Sequence, residues 1–279
     1  MNNESNPAPQ RPDGNDLNPP LNSSAKGWQW VKQGFLLFRK QPSELMVLFF
    51  AYMFTSLGLS LIPLLGQVLP ILLIPTLMMG FMQACRRVQN GERVTVGVLY
   101  DGFRSPAFSR LLWLGVLYLV MALLAIAVSS LADDGLLWSM MVLQKEVDET
   151  ALRNSDILGG LLVAALAYVP ALMAFWYAGA LIMWNGMPVG KAVFYSFFAV
   201  KRAAYAFIAF GAAWVLIGVV APSFVAMLVG ALIGNLYAVL IVVVPVSFAL
   251  TAVMYCSFYP TYVDVFGKPD FTITISGAE

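Results

Sequence analysis

The sequence predicts an all-α integral membrane protein: six transmembrane helices, both termini cytoplasmic, and amphipathic interfacial helices before spans 1, 3 and 5. Three observations predict it. Of the 279 residues, 60% are hydrophobic and only 11% are charged, whereas a soluble domain carries about 25% charged residues. Four long runs contain no charge at all: 45–85, 111–132, 157–190 and 203–263. The cationic residues are sorted to one side of those runs.

A transmembrane helix needs about 20 mostly apolar residues. The first run holds two spans, the second and third hold one each, and the fourth holds two. The expected spans are 45–65, 68–85, 111–131, 157–181, 203–221 and 224–259. Pro63, Gly66 and Pro70 punctuate the first double run, and Ala221-Pro222-Ser223 punctuates the last, since Gly and Pro interrupt helices or permit tight turns. The sixth span contains Pro245, so a kink, a break or a later start is expected there.

Charge sets the orientation. Arg11, Lys26, Lys32, Arg39 and Lys40 precede span 1, and Arg86, Arg87, Arg93, Arg104 and Arg110 separate spans 2 and 3. Lys191, Lys201 and Arg202 separate spans 4 and 5, and Lys268 follows span 6. Lys145 and Arg153 alone fall between spans 3 and 4. The positive-inside rule puts the larger group in the cytoplasm. Parity then makes each double run two crossings, because a single crossing of 45–85 would export five arginines.

The segment between spans 3 and 4, 132–156, is the one sizeable external loop. It carries Asp133, Asp134, Glu146, Asp148, Glu149 and Asp156, with Leu136, Met140, Leu143, Val147 and Ala151 at helical spacing. The pattern predicts a short amphipathic helix within a solvated acidic cap, the alternative being a cation or partner site. Asp133 and Asp134 are adjacent and point different ways, so they make a poor catalytic pair. Residues 1–26 are rich in Asn and Pro and poor in apolar side chains, which predicts a disordered tail. They lack the apolar core of a signal peptide. The membrane domain is expected over 27–263, followed by a short cytoplasmic tail at 264–279.

Three aromatic, basic stretches precede spans 1, 3 and 5. The first is Gly27 to Lys40, in which Trp28, Val31, Phe35 and Phe38 share a helical face. The second is Val94 to Arg104, with Val98, Tyr100 and Phe103; the third is Pro188 to Arg202, with Val193, Phe194, Phe197 and Phe198. Each is too short and too charged to span, and aromatics opposite Lys or Arg suit the headgroup plane. An interfacial helix plus a two-span hairpin, repeated three times, would read as an internal triplication.

Three groups of residues then carry a resemblance. They are Gly27-x-x-Trp30-x-x-x-Gly34-x-x-x-Phe38-Arg39-x-x-Pro42; Leu61-Ile62-Pro63 leading to Leu69-Pro70 and Gly80-Phe81-Met82-x-Ala84-Cys85-Arg86; and Asp101-Gly102-Phe103-Arg104. Together they resemble an uncharacterised family of six-span inner-membrane proteins of proteobacteria. The resemblance is clearest over 27–110. It implies a bacterial inner membrane and supplies no catalytic residue.

The chemistry-bearing residues are sparse. The chain has no histidine and two cysteines, Cys85 and Cys256, which excludes imidazole bases and ligands and makes a poor zinc site. A disulfide is not expected on the reducing side; two small buried apolar residues are. The sequence contains no P-loop, Gly-x-Ser-x-Gly elbow or HExxH pattern. No expected span carries an interior charge, which disfavours a proton relay. Neither an enzyme nor a cofactor is expected, and a net charge of +1 gives no sign of nucleic acid.

Two candidate sets remain. Arg86, Arg87, Arg104, Arg110, Lys201 and Arg202 flank the inner face, either as ordinary anchors or as contacts to anionic headgroups. Pro75, Pro170, Asn235 and Pro245 are the intramembrane polar or kink positions; Asn235 follows Gly230-x-x-x-Gly234, a close-packing pattern. Gln67, Gln83 and Asn185 read as wet caps at span ends. The expected partners are membrane lipids, with a protein partner or a homo-oligomer left open. The leading function is structural or lipid-interacting, and the alternative is a carrier or channel for a small neutral or amphipathic solute. A polar-lined cavity joining Pro75, Pro170, Asn235 and Pro245 would favour the carrier; a dry, packed bundle would favour the first reading.

Overall fold

The computed structural model describes residues 19–63, 65–143, 145 and 156–269. Residues 1–18, most of 144–155 and 270–279 lie outside it, and with them Val147, Ala151 and the acidic residues Glu146, Asp148 and Glu149. Every described element is helical. α1 (Ser24–Phe38) leads into α2 (Pro42–Ser60) and α3 (Val68–Gln89). A 3-10 turn (Val96–Tyr100) and the single-turn α4 (Asp101–Arg104) precede α5 (Phe108–Asp133) and the short α6 (Leu136–Met141). The fourth span is α7 (Ile157–Phe175) followed by α8 (Ala178–Trp184). Next come α9 (Val189–Arg202), α10 (Ala204–Val215), a π-helical turn (Leu216–Val220), α11 (Ala221–Ile233) and α12 (Leu236–Phe266).

Among the described residues, six helices are long and apolar enough to cross a membrane: Pro42–Ser60, Val68–Gln89, Phe108–Asp133, Ile157–Trp184, Ala204–Ile233 and Leu236–Phe266. The helix starts follow capping chemistry. Ser23 accepts from the Lys26 N–H, Asp156 from Gly159 and Asn235 from Tyr237, at 3.3, 2.8 and 2.8 Å. Pro42 stands in the first turn of α2, where a missing N–H costs nothing.

The last hairpin corrects the expected one. The chain does not turn at Ala221-Pro222-Ser223; it stays helical from Ala204 to Ile233. Pro222 lacks an N–H and its ring crowds the carbonyl four residues back. The π turn at Leu216–Val220 lies directly ahead of it, and this wider turn takes up the mismatch without ending the helix. The reversal falls instead at Gly234-Asn235. Gly234 has φ +66°, in the left-handed region that glycine adopts without penalty. Asn235 then caps α12 from an exposed position. It is therefore an end cap and not a deep intramembrane amide, and the sixth span makes the later start that was one of its expected forms.

Two other readings change. In the loop after α5, the helix stops at Met141, and Leu137 is the residue it buries, not Leu136 or Met140. The buried Asp133 carboxylate accepts from the N–H groups of Gly135 and Leu137 at 3.1 and 2.9 Å. α1 buries Gly27, Trp30, Val31, Gly34 and Leu37, while Trp28, placed on the apolar face by its periodicity, is 46% exposed. Backbone proximity selects the face. A Cβ on Gly27 would overlap the Ala206 carbonyl oxygen, and one on Gly34 would sit 2.6 Å from Ser257 Cβ. α1 thus lies directly against α10 and α12.

The main core joins α2, α3, α5, the α7–α8 span, α9 and α12, with Leu45, Leu77, Phe81, Leu111, Leu181 and Tyr259 in its interior. Cys85 and Cys256 are buried, unbridged and neighbours there. The second and third groups of residues that carry the family resemblance pack on each other. A Cβ on Gly80 would meet the Leu99 carbonyl oxygen at 2.5 Å, and one on Gly102 would meet the Thr76 carbonyl oxygen at 2.7 Å. Arg87 and Asp101 close that contact with an ion pair at 3.0 Å.

Gly80→Ala is therefore expected to lower the thermal unfolding temperature in detergent, by the overpacking cost of about 1–3 kcal/mol. A Cβ on Gly58 meets nothing within 4 Å, so Gly58→Ala is expected to be neutral or stabilising by up to about 1 kcal/mol. Equal melting temperatures for the two variants would contradict the close contact.

Candidate functional site

The fourth span is interrupted, and the interruption organises the interior. In a continuous helix the Tyr177 N–H would bond the Met173 carbonyl. Here the fully buried Ser196 hydroxyl of α9 stands between them. It accepts from Tyr177 N–H and donates to Met173 C=O, each at 2.9 Å. A side chain inserted into the ladder bends a helix without leaving its polar groups bare. Proline is not the cause, because α7 runs through Pro170, which faces outward.

The break turns two large aromatic residues toward α12. The Tyr177 hydroxyl donates to the Thr261 carbonyl at 3.1 Å, and Trp176 Nε1 reaches the Thr261 hydroxyl at 3.4 Å. Beside them lies a cavity of about 230 Å³, lined by Tyr52, Pro75, Met78, Met79, Met82, Tyr118, Phe175 and Tyr255 among others. Among the described residues, no charged side chain lines it. Of the four intramembrane candidates, Pro75 alone lines this space; Pro170 and Pro245 face outward and Asn235 caps a turn. The polar cavity joining all four, which would have favoured the carrier, is not formed by these residues. The space is apolar and aromatic.

Of the amides read as wet caps, Gln67 is exposed at the start of α3, while Gln83 and Asn185 also take partners within the bundle. Trp184 Nε1 donates to Gln83 Oε1 at 3.0 Å, and the Tyr262 hydroxyl donates to Asn185 Oδ1 at 2.8 Å. They knit α3, α8 and α12 together near the end that carries the basic residues.

The six basic candidates do not converge on one site. Arg86 lies over the Trp184 ring at 5.9 Å. Arg87 pairs with Asp101. Arg110 donates to the carbonyls of Gly186 and Met187, the latter at 3.3 Å, and so holds the turn that leads into α9. Arg104, Lys201 and Arg202 are exposed. Arg202 lines a groove of about 420 Å³ between α9 and the end of α12, with Phe194, Tyr195, Phe198 and Phe266. The three rings on α9 face outward, while the small residues Ala192 and Ser196 are buried. Lys191 lies 5.7 Å from the Tyr195 ring centre.

One polar cluster fell outside the sequence reading. Lys26 Nζ meets Asp264 Oδ2 at 2.8 Å, and Trp30 Nε1 donates to the same oxygen at 2.8 Å. Lys26 is 3% exposed. Both charges belong to the packed domain, although its expected limits, 27 and 263, excluded them. The available signal was position: Lys26 is the last charge before Trp28 and Trp30, and Asp264 is the first after the run 203–263.

Six long apolar helices, reversals at capped turns and a broken ladder bridged by a buried serine define a multi-pass α-helical membrane protein. Over 250 residues the chain is 39% identical to a probable inner membrane protein of Burkholderia thailandensis, an alignment that covers 88% of this chain and 92% of that one. It belongs to the same family, and it is a multi-pass protein of the bacterial inner membrane. The resemblance read from its motifs holds at this level. No family model matches the chain, and no solved structure matches it.

Lys26→Ala is expected to destabilise the protein by about 1–3 kcal/mol, because it removes the counter-charge of a part-buried carboxylate to which Trp30 Nε1 still donates. Lys26→Met combined with Asp264→Leu is expected to recover most of that loss. Thermal unfolding of the three proteins in one detergent checks this, and a double variant no more stable than the single one would contradict it.

Proposed function

We propose that this protein is a non-catalytic, lipid-interacting component of the inner membrane that holds anionic phospholipid at its cytoplasmic face. The observation that carries the reading is the α9 groove. Arg202 sits there beside Phe194, Tyr195 and Phe198, with Lys201 next in sequence. Aromatic rings and a guanidinium side by side match the junction of acyl chain and phosphate. Each cation near an anionic surface contributes about 1 kcal/mol. Arg87 and Arg110 already have partners within the chain, so the headgroup falls to Lys201 and Arg202, with Arg104 as an outlying contact. The family relationship supports the membrane setting.

A second reading, a carrier for a small neutral or amphipathic solute, draws on the apolar cavity at the broken fourth span. The cavity has no lining charge with which to couple transport to an ion.

Lys201→Gln combined with Arg202→Gln is expected to reduce the anionic lipid retained by the purified protein, read by native mass spectrometry, without changing its melting temperature. Arg110→Gln is expected to do the reverse: to lower the melting temperature and leave lipid retention intact. Unchanged lipid on a folded Lys201→Gln/Arg202→Gln protein would sink the proposal.

A further inference from the structure

We propose that the cavity beside the Trp176–Tyr177 interruption is a binding site for a neutral, single-ring aromatic or quinonoid group. This site is separate from the α9 groove and goes beyond the lipid reading.

Size is the first argument. A dry apolar cavity of about 150 Å³ accommodates benzene. The space here is about 230 Å³, enough for one substituted ring. The wall chemistry is the second. The rings of Trp176, Tyr255 and Phe258 and the thioethers of Met78, Met79 and Met82 line the space. Aromatic rings favour edge and offset contacts with another ring, and methionine sulfur favours ring edges. An extended acyl chain would gain nothing specific from such walls. A charged ligand would be stripped of water with no counter-charge in the lining.

The third argument is a poorly used donor. The Tyr118 ring stacks on Phe175 with centroids 4.4 Å apart, but its hydroxyl meets the Phe175 carbonyl only at 3.4 Å. That is far beyond the roughly 2.7–2.8 Å usual for O–H···O. A ring oxygen in the cavity could take that hydrogen bond at full strength.

Access follows from depth. Tyr118 stands ten residues into α5 and Tyr177 seven residues before the end of α8. At 1.5 Å per residue both lie on the order of 10–15 Å from the helix ends, within reach of a molecule dissolved in the bilayer. The same ring chemistry could belong to a membrane quinone or to a free aromatic solute.

Gly179 gives the means to test it. A Cβ there meets Met79 Sδ at an ordinary 3.5 Å, so alanine fits and a larger side chain must enter the cavity. The protein in lipid nanodiscs is titrated with duroquinone, toluene and decane, with empty nanodiscs subtracted. One saturable site per chain is expected for duroquinone and toluene, and none for decane. Gly179→Leu is expected to weaken both rings by more than about tenfold, while Gly179→Ala binds as the wild type does. Tyr118→Phe is expected to weaken duroquinone by about fivefold, the share of one neutral hydrogen bond, and to leave toluene unchanged. An unchanged melting temperature of Gly179→Leu reports that the fold is intact, and lipid retention is read as a separate signal, so the two proposals fail separately. A prenylated quinone released from the natively purified protein would assign the membrane source; ring binding without one would assign a free solute. No saturable ring binding, or binding that a folded Gly179→Leu leaves unchanged, overturns the proposal.

Discussion

Trp30 and Asp264 stand 234 residues apart in sequence, yet they share a hydrogen bond beside a nearly buried lysine. That cluster shows the constraint under which the whole bundle is built. Lipid tails are as apolar as leucine, so no hydrophobic force draws one membrane helix to the next. Cohesion has to come from close backbone contact and from polar groups that satisfy one another. Here the first helix is held to the last by both means: an ion pair at its start, and glycines that let it approach α10 and α12. With α1 fixed, the two ends of the six-span chain are held at one end of the bundle.

The same constraint explains the interior. A broken helix in hydrocarbon exposes backbone groups at a cost of several kcal/mol each. Ser196 makes the break at Trp176–Tyr177 tolerable by bridging its two orphaned groups with one hydroxyl. The side chains near the basic end follow the same logic, with Gln83 taken by Trp184 and Asn185 by Tyr262. The polar residues of the interior are mostly structural, and the space they leave beside the break is correspondingly apolar.

Much of this was legible in the sequence, and the limit has a physical cause. Six helices could be read because a membrane demands long uncharged runs, which leave a plain trace. The glycines at 27, 34, 80 and 102 were visible as parts of a motif, although their role as contact points needed coordinates. The last turn was misplaced because Pro222 looked like the stronger interruption, whereas a π turn absorbs a proline more easily than a helix absorbs the left-handed Gly234. The aromatic stripes of α1 and α9 were legible as interfacial faces, but which residues each helix buries was not. In a soluble protein an aromatic stripe marks the buried side. Beside lipid that sorting fails: Phe194 and Phe198 face out, while Ala192 and Ser196 face in. The Arg202 candidate was legible as a basic residue at the membrane face, but the groove around it depends on how α9 meets α12.

α9 is the element on which these threads meet. Its outer face carries Phe194, Tyr195, Phe198 and Arg202, which line the groove. Its inner face carries Ser196, which sustains the interruption of the fourth span. Arg110 holds the turn that introduces it. Displacing α9 outward would pull Ser196 from Met173 and Tyr177 and leave two unsatisfied backbone groups, at about 1–3 kcal/mol each. The span could recover them only by closing its own ladder, which would straighten the helix and turn Trp176 and Tyr177 out of the cavity wall. Groove and cavity are separate sites that share one supporting helix. The packing that shapes the one also sets the bend that opens the other, through a single serine on a fourteen-residue helix.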